Sequence, residues 1–186
     1  INNTALEISK SLVKEVHIVK SESKSVLNPN ISHMFITCKF RDRFETLRKL
    51  LAAESPEKAI VFINNSTELQ NINEKLDYHK VKSTAIFGNA SKEQRQRSIE
   101  AFRNGKFNVL VSSDVSARGL DIPEVTHIIS MDFPENPDEY LHRAGRTARG
   151  NLSGSSICIG TRRDLDAIKS YQKAFKIKFT EMKLYG

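Results

Sequence analysis

Short apolar runs alternate with longer amphipathic stretches along most of the chain. Runs short enough to be buried strands lie at 59–63, 83–87, 107–111, 125–131 and 155–159. The segments between them carry apolar residues at helical spacing, as in the predicted helix 91–103, where Ile99 and Phe102 lie on the inner side. Strands that alternate with helices are typical of a parallel sheet with helices on both faces. The pattern predicts an α/β fold with a mostly parallel central sheet.

Polar residues mark where several of these helices begin. Residues 64–69 follow the first of these strands and open a helix that runs to about His79. A later helix has Asn136 as its N-cap and Pro137 in its first position, and Glu139 is placed to reach back to the cap. We therefore expect the element boundaries to fall at these residues.

Residues 1–30 differ in character from the rest of the chain. Apolar residues in the first part have the spacing of one helix and one short strand, and residues 20–30 form a polar run. We interpret the polar run as a linker that joins something upstream to a domain beginning near Ile31. The first residues show neither an initiator methionine nor a signal pattern, so we expect the chain to begin inside a longer protein.

The composition limits the classes of protein and partner. A chain of 186 residues fits one domain, and we expect a monomer. The formal net charge of +7 favours polyanionic partners, and no apolar run approaches the length that crosses a bilayer, so no membrane partner is expected. Cys38 and Cys158 lie among apolar neighbours without metal-ligand spacing, which predicts two buried thiols in a reducing compartment and no metal site. We expect the cytoplasm, with the nucleus or an organelle matrix left open.

Segment 142–149 concentrates positive charge, because it contains His142, Arg143, Arg146 and Arg149. Guanidinium groups present a rigid fork of donors that suits a phosphoryl group, which points to an anionic ligand, although most charge runs are solvated helix faces. A helix through the whole segment would stack three of these side chains on one side. Gly145 favours an earlier end, with Arg146 and Arg149 projecting from the turn that follows.

A second segment, 109–121, runs from a buried strand into hydroxyl side chains and a short helix. Ligands of an open α/β sheet gather at the carboxyl ends of its strands, where helix N-termini offer free N–H groups to phosphate, and Ser113 lies at such a position. Asp121 leaves two interpretations open. It is either a turn or capping residue, or a carboxylate whose partner is a ribose hydroxyl, an arginine or a metal.

Together the two segments resemble motifs V and VI of the DEAD-box RNA helicases. The chain has Ser113-Asp114 followed by Ala-Arg-Gly-Leu-Asp at 117–121. It then has His-Arg-x-Gly-Arg-x-x-Arg at 142–149, with all five defined positions matched. The resemblance implies that the chain is the second, C-terminal core domain of such a helicase.

The resemblance covers nearly the whole chain. Phe62 and Asn64 resemble motif IV, and 88–102 resembles the segment that holds the family's Gln-x-x-Arg. It implies a RecA-like three-layer α/β/α fold, with the second core domain at 31–186. Residues 1–30 would be a remnant of the end of the first core domain plus the interdomain linker.

The resemblance also implies roles in nucleotide binding. Arg146 and Arg149 would be arginine fingers that reach the γ-phosphate of ATP, which with Mg²⁺ is bound mainly by the missing N-terminal domain. Asp121 would accept hydrogen bonds from the ribose hydroxyls, with the backbone at Gly119 close by. A finger supplied from a second domain is worth about 10³ to 10⁵ in rate, so closure of the two domains would gate hydrolysis.

Further residues are implied to contact the other domain and RNA. Arg118 and His142 would form contacts between the two domains when they close. RNA would be recognised through its backbone, with little sequence preference. The residues implied to line it are Asn64, Gly88, Lys92, Arg95 and Ser113.

The chain departs from the family pattern at four positions. Phe87 stands where a histidine is common, Lys92 where a glutamine is expected, Ser113 where threonine is commoner, and Ala148 where many members have glycine. Ser113 keeps the hydroxyl and Lys92 keeps a donor to phosphate. Contact with the RNA backbone is therefore retained in principle.

The motifs that bind the triphosphate and Mg²⁺ are missing from this chain. Gly105-Lys106 is followed by Phe107 and does not form a phosphate-binding loop, and Asp138-Glu139 belongs to a predicted helix start. We expect the chain alone to be inactive and the full-length protein to be an RNA-dependent ATPase that unwinds short duplexes or remodels RNA–protein complexes. Two alternatives are an ATP-independent RNA- or protein-binding module with this fold and a motor that acts on DNA.

Overall fold

The computed structural model describes residues 27–184, and one parallel sheet runs through this part of the chain. Its seven strands have the order β3-β4-β2-β5-β6-β1-β7, and every neighbouring pair is parallel. The strands are β1 (Ile31–Thr37), β2 (Ala59–Phe62), β3 (Ser83–Ile86), β4 (Val109–Ser112), β5 (His127–Ser130), β6 (Gly154–Gly160) and β7 (Phe179–Glu181). The helices are α1 (Arg43–Glu54), α2 (Ser66–Tyr78), α3 (Lys92–Arg103), α4 (Asp114–Ala117), α5 (Pro137–Ala144) and α6 (Leu165–Phe175), with 3₁₀ turns at Phe40–Asp42 and Arg162–Asp164. Within the same residues, no helix is long and apolar enough to cross a membrane.

Every strand predicted from an apolar run is present, as β2 to β6. Of these, β2 and β4 are buried at every position, and for this reason their sequences are almost entirely apolar. β1 and β7 lack such a run, since β1 contains Ser32 and His33 and β7 has only three residues. The predicted α/β fold is confirmed, and the sheet is parallel throughout the described residues.

Helices cover both faces of the sheet. In β2, Val61 belongs to the cluster that contains the apolar residues of α1 and α2, while Ile60 and Phe62 face the other way, into the cluster with α3 and α4. Helices α5 and α6 cover the second face farther along the sheet, in the cluster that contains Cys158 of β6. The domain therefore has the three layers that the resemblance implies.

The first described residues pack onto this domain. Leu27 is buried in the cluster formed by α5 and α6, and the side-chain amide of Asn28 donates to the carbonyl oxygens of Ala148 and Gly150. The end of the predicted linker is therefore attached to the domain. The helix and strand predicted within 1–20 lie outside the described residues, and the domain boundary stays a prediction.

The two cysteines differ in burial. Cys158 is fully buried, and burial raises the pKa of its thiol to about 12. Cys38 lies just after the end of β1 and packs at the margin of the core, where it is only partly buried. The prediction of two buried thiols is therefore confirmed for Cys158 and wrong for Cys38.

Helix α5 leads into the positively charged segment. Asn136 caps it by accepting a hydrogen bond from the backbone N–H of Asp138 at 3.0 Å. The predicted return contact of Glu139 is wrong, because the cap engages the second residue of the helix, and Glu139 lines a cleft instead. The helix ends at Ala144, so a continuous helix is excluded and a turn at 145–150 carries the last two arginines.

Candidate functional site

The carboxyl edge of the sheet brings three segments together. They follow the adjacent strands β4, β2 and β5 and carry Asp114, at the start of α4, Asn64 and Asp132. The strands of a parallel sheet all end at the same edge, which is where α/β proteins bind ligands. The turn 145–150 lies beside these segments, because Arg143 at the end of α5 contacts two of them.

Arg143 ties these elements together. Its side chain is 1% exposed and donates to both oxygens of the Asp114 carboxylate, at 2.7 and 2.6 Å. It also donates to the backbone oxygen of Asp132 at 2.7 Å and lies 3.0 Å from that residue's carboxylate. The Phe62 ring centre lies 5.0 Å from the guanidinium carbon. Arg143 thus joins the ends of β2, β4 and β5 to α5.

The Arg143 guanidinium and the two carboxylates stabilise one another in their charged forms. Burial on its own raises the pKa of the Asp114 carboxyl, but the hydrogen bonds and charge of Arg143 outweigh it and hold the pKa below its usual value. Burial lowers the pKa of the Arg143 guanidinium, but the Asp114 hydrogen bonds and the charges of Asp132 and Asp114 raise it overall. The expectation of an external anion is therefore wrong for Arg143, which is buried against the chain's own carboxylates.

Asn64 is part of the same network. Its side-chain amide donates to Asp114 Oδ2 at 2.7 Å, and its Oδ1 accepts from the Asp114 backbone N–H at 3.0 Å. The Asn64 backbone N–H donates to Asp132 Oδ2 at 2.5 Å. Both ends of the Asn64 side chain are thus engaged within the domain, and its role in contacting RNA stays a prediction.

Thr147 fixes the turn 145–150 against the sheet. Its buried hydroxyl donates to the Val125 carbonyl oxygen, and a Cβ at Gly154 would collide with its side chain. Ala148 has a left-handed backbone, with φ of 53°. This conformation costs a residue other than glycine about 1 to 2 kcal/mol, so the departure from glycine at this position has a conformational cost.

Arg149 forms an ion pair with Asp121 at the edge of the site. Their side chains are 41% and 81% exposed, so the pair adds little to stability and opens easily. If Asp121 is not a turn or capping residue, the sequence predicts a ribose hydroxyl, an arginine or a metal as the partner of its carboxylate. In the structure this partner is an arginine, Arg149. Gly119, two residues earlier, has a φ of 72°, a conformation that favours glycine.

Arg146 differs from its two neighbours because it belongs to no ion pair of the described residues. It donates to the backbone oxygen of Leu120 at 2.8 Å. Burial, followed by the charge of Arg149, lowers the pKa of its guanidinium. A half-buried arginine beside a second arginine, without a carboxylate partner, is suited to bind an anion.

Two clefts adjoin Arg146. The first has a volume of about 280 Å³ and is also lined by Asp114, Arg118 and His142. The second, of about 500 Å³, lies between the turn 145–150 and residues 27 and 28, and His142 lines it as well. Arg118 and His142 are exposed and therefore accessible to another domain.

The remaining predicted residues extend along the same edge toward β3. Ser113 caps α4 by accepting a backbone hydrogen bond at 3.2 Å, and Arg95 donates to the backbone oxygen of Arg118 at 3.1 Å. Gly88 follows β3, with no atom within 4 Å of an added Cβ, and Lys92 is exposed at the start of α3. Among the described residues, no hydrogen bond links the Lys92 side chain to Arg143 or to its partners Asp114 and Asp132.

The donors of this edge suit an anion. Within residues 27–184, no three His, Cys, Asp or Glu side chains are grouped to hold a metal ion. Arg146 and Arg149 present guanidinium groups from one turn, with the Asp121 carboxylate beside them. This arrangement fits the phosphate groups of a nucleotide, with a carboxylate able to accept from hydroxyls.

Residues 42–151 match the helicase conserved C-terminal domain. The chain belongs to this family. It is 33% identical over 170 residues to the DEAD-box ATP-dependent RNA helicase CshC of Bacillus cereus, which covers 91% of the chain and 42% of that relative. It is also 33% identical over 176 residues to CshA of Bacillus subtilis, another DEAD-box ATP-dependent RNA helicase, which covers 95% of the chain and 36% of that relative.

Solved DEAD-box proteins have the same fold as this helicase C-terminal domain. Dbp5 of S. cerevisiae, bound to RNA and ADP BeF3, matches with a TM-score of 0.82 and 25% identity, over 98% of the chain and 49% of that protein. A DEAD box protein of Methanococcus jannaschii matches with a TM-score of 0.76 and 27% identity, over the same shares of both chains. The chain spans half or less of these relatives. The predicted RecA-like C-terminal helicase domain is confirmed.

Proposed function

We propose that this helicase C-terminal domain works in an ATP-dependent RNA helicase, where it closes with an N-terminal RecA-like domain over ATP and RNA. The observation that carries the proposal is Arg146, a half-buried arginine without a carboxylate partner among the described residues, next to two clefts. The names of CshC and CshA, and the RNA and ADP BeF3 bound to Dbp5, support this assignment.

Arg146 and Arg149 stabilise the phosphoryl group in transfer. ATP with Mg²⁺, held mainly by the other domain, supplies the γ-phosphoryl group and the metal charge. Arg146 directs its planar donors at the phosphoryl oxygens, where charge is spread in the transition state. Arg149 joins it when its exposed pair with Asp121 opens. These groups act only when the two domains close, so closure gates hydrolysis.

Asp121 exchanges partners on closure. Once released from Arg149, its carboxylate accepts from the ribose hydroxyls, with the backbone at Gly119 alongside. Arg118 and His142, both exposed beside Arg146, contact the other domain. Nucleotide binding and domain closure therefore depend on one another.

RNA lies along the edge that carries Asn64, Gly88, Lys92, Arg95 and Ser113. These residues offer amide, ammonium, guanidinium, hydroxyl and backbone groups, which contact phosphate and sugar rather than base edges. Binding is then insensitive to sequence. Gripping the backbone of one strand while the domains close strains a short duplex apart or displaces a bound protein.

We place the full-length protein in the cytoplasm as a monomer. Cys158 is fully buried and Cys38 is unpaired, which suits a reducing compartment. Sedimentation of the purified protein and fractionation of its source cells test these two assignments.

The proposed function is tested by ATP turnover of the full-length protein with RNA, with DNA and with no nucleic acid. The expected result is ATP turnover that requires RNA. DNA should not support it. Turnover supported equally by DNA identifies a DNA motor instead. RNA binding without turnover identifies an ATP-independent binding module, and either result contradicts the proposal.

A further inference from the structure

A third cavity, separate from the two clefts beside Arg146, opens at the carboxyl edge of the sheet beyond β5. It has a volume of about 720 Å³ and is formed by residues that follow β1, β5 and β6. Its lining includes Phe40, Arg43, Arg162 and Arg163. We call it the Phe40 pocket. The roles implied by motifs IV, V and VI leave these four residues unassigned.

The Phe40 pocket has unbalanced positive charge. Asp132 is paired with Arg143 and Arg43 with Glu68, which leaves Arg162 and Arg163 against the single charge of Asp164. The Asp164 carboxylate is turned to Thr161, whose backbone N–H and hydroxyl donate to Oδ2 at 2.7 and 2.9 Å. Arg162 and Arg163 are exposed, and the ion pairs within residues 27–184 include neither of them. Two free guanidinium groups therefore face solvent side by side in the chain, which favours an extended anion.

Phe40 adds a flat apolar surface to this charge. Its ring is 70% exposed, although burial of a phenylalanine is favourable. The Arg43 guanidinium lies 5.2 Å from the ring centre, and Arg43 is itself 8% exposed and paired with Glu68 at 3.0 Å. The ring is thus supported from within the domain while remaining open to a ligand. Exposed aromatic rings beside basic side chains are a common platform for single-stranded nucleic acids.

The Phe40 pocket adjoins the loop that carries Asn64. Asp132, on the wall of the pocket, accepts from the Asn64 backbone N–H at 2.5 Å. Glu68, the partner of Arg43, lies in α2 directly after that loop. The pocket is therefore continuous with the proposed path of RNA along the carboxyl edge.

We infer that the Phe40 pocket extends the RNA site, with a base of single-stranded RNA stacked on Phe40 and the flanking phosphates on Arg162 and Arg163. This inference rests on the proposed function. Single-stranded RNA fits better than an acidic peptide because the site joins a planar aromatic surface to paired guanidinium groups and continues the RNA path. Contacts of this kind read neither base edges nor sequence.

The test measures binding of a fluorescent oligouridylate to the full-length protein at several salt concentrations. The double variant Arg162→Ala with Arg163→Ala should weaken binding and reduce the slope of log affinity against log salt by about 1.4, from two lost phosphate contacts. Phe40→Ala should weaken binding about tenfold, whereas Phe40→Trp should retain it. The matched control is Lys173→Ala with Lys178→Ala, which removes two exposed charges elsewhere and should change neither quantity.

The outcome separates this inference from the proposed function. All variants should keep RNA-stimulated ATP turnover at saturating RNA, because Arg146 and Arg149 are untouched. If the Phe40 and arginine variants bind RNA with the affinity and salt slope of the wild type, the inference is overturned. The proposed helicase function still holds in that case, provided that RNA-stimulated ATP turnover is normal. If the same variants lose affinity for a polyglutamate peptide while their RNA binding is unchanged, the pocket binds an acidic partner. That result also overturns the inference.

Discussion

Arg143 and Asp114 form a two-point ion pair beneath the site, with the guanidinium donating to both carboxylate oxygens. The same carboxylate is held by the side chain of Asn64. One buried pair therefore supports both the turn that carries Arg146 and the loops proposed to contact RNA. Removal of this pair is therefore expected to destabilise the domain rather than to act directly on nucleotide or RNA binding.

Arg143→Ala should lower the free energy of unfolding of the domain by about 3 to 5 kcal/mol, because it leaves two carboxylates partly buried without their cation. Urea unfolding measures the change. Arg149→Ala is the matched control, since its ion pair is exposed and should contribute less than about 1 kcal/mol. Equal losses in the two variants would show that burial of Arg143 has no energetic consequence.

Asp121→Asn separates a ligand role from a structural one. The side chain is 81% exposed, so the unfolding free energy should change by less than about 0.5 kcal/mol. The KM for ATP of the full-length protein should rise several-fold, because an amide accepts less strongly from ribose hydroxyls than a carboxylate. An unchanged KM would return Asp121 to the alternative of a turn residue.

His33 should make the domain less stable in mild acid. Burial lowers its pKa from 6.5 to about 4, and its Nδ1 lies 2.6 Å from the Tyr140 hydroxyl oxygen. Between these two pH values the unfolded chain binds a proton that the folded chain does not. Stability should therefore fall by up to about 3 kcal/mol as the pH drops from 6.5 to 4.

Unfolding midpoints measured across this pH range test the effect. His33→Gln is the control, because it removes the titrating group and should flatten the dependence at the cost of a lower overall stability. Asp114 adds little to the slope in this window, because its lowered pKa gives a stabilisation that is present above pH 3.8 and is lost mainly as the pH falls below that value. The same slope in the variant and the wild type would reassign the effect to other groups.

The chain should bind RNA weakly on its own, with an affinity that falls as salt rises. Each neutralised phosphate of a single strand contributes about 0.7 to the slope of log affinity against log salt. Filter binding of a single-stranded oligonucleotide at several salt concentrations measures it. A flat response would remove the electrostatic basis of binding.

The sequence predicts the centre of the fold well because its strands are buried on both faces. β2 and β4 are apolar runs and are predicted as strands. β1 is missed because His33 interrupts its apolar pattern. The ring of His33 is buried only because the fold supplies the Tyr140 hydroxyl as its hydrogen-bond partner. Gly145 correctly marks the end of α5. These outcomes follow from local patterns.

Arg143 shows what the sequence does not reveal directly. Three arginines at three-residue spacing look alike in the sequence, and only the packing of α5 distinguishes them. A signal was present, since Arg143 lies three residues after Tyr140 and one before Ala144, both buried. That places it on the inner face of the helix. Its partners Asp114 and Asp132 are brought to it only by the order of strands in the sheet.

The central claim is that Arg146 completes a nucleotide site, and Arg146→Lys in the full-length protein tests it most directly. A lysine keeps the charge but lacks the planar fork of donors, so kcat for RNA-stimulated ATP hydrolysis should fall by about 10³, while RNA affinity stays within a few-fold. Arg97→Lys, at an exposed position of α3, should change neither quantity. An equal loss of kcat and RNA affinity, or no loss of kcat, would contradict the account.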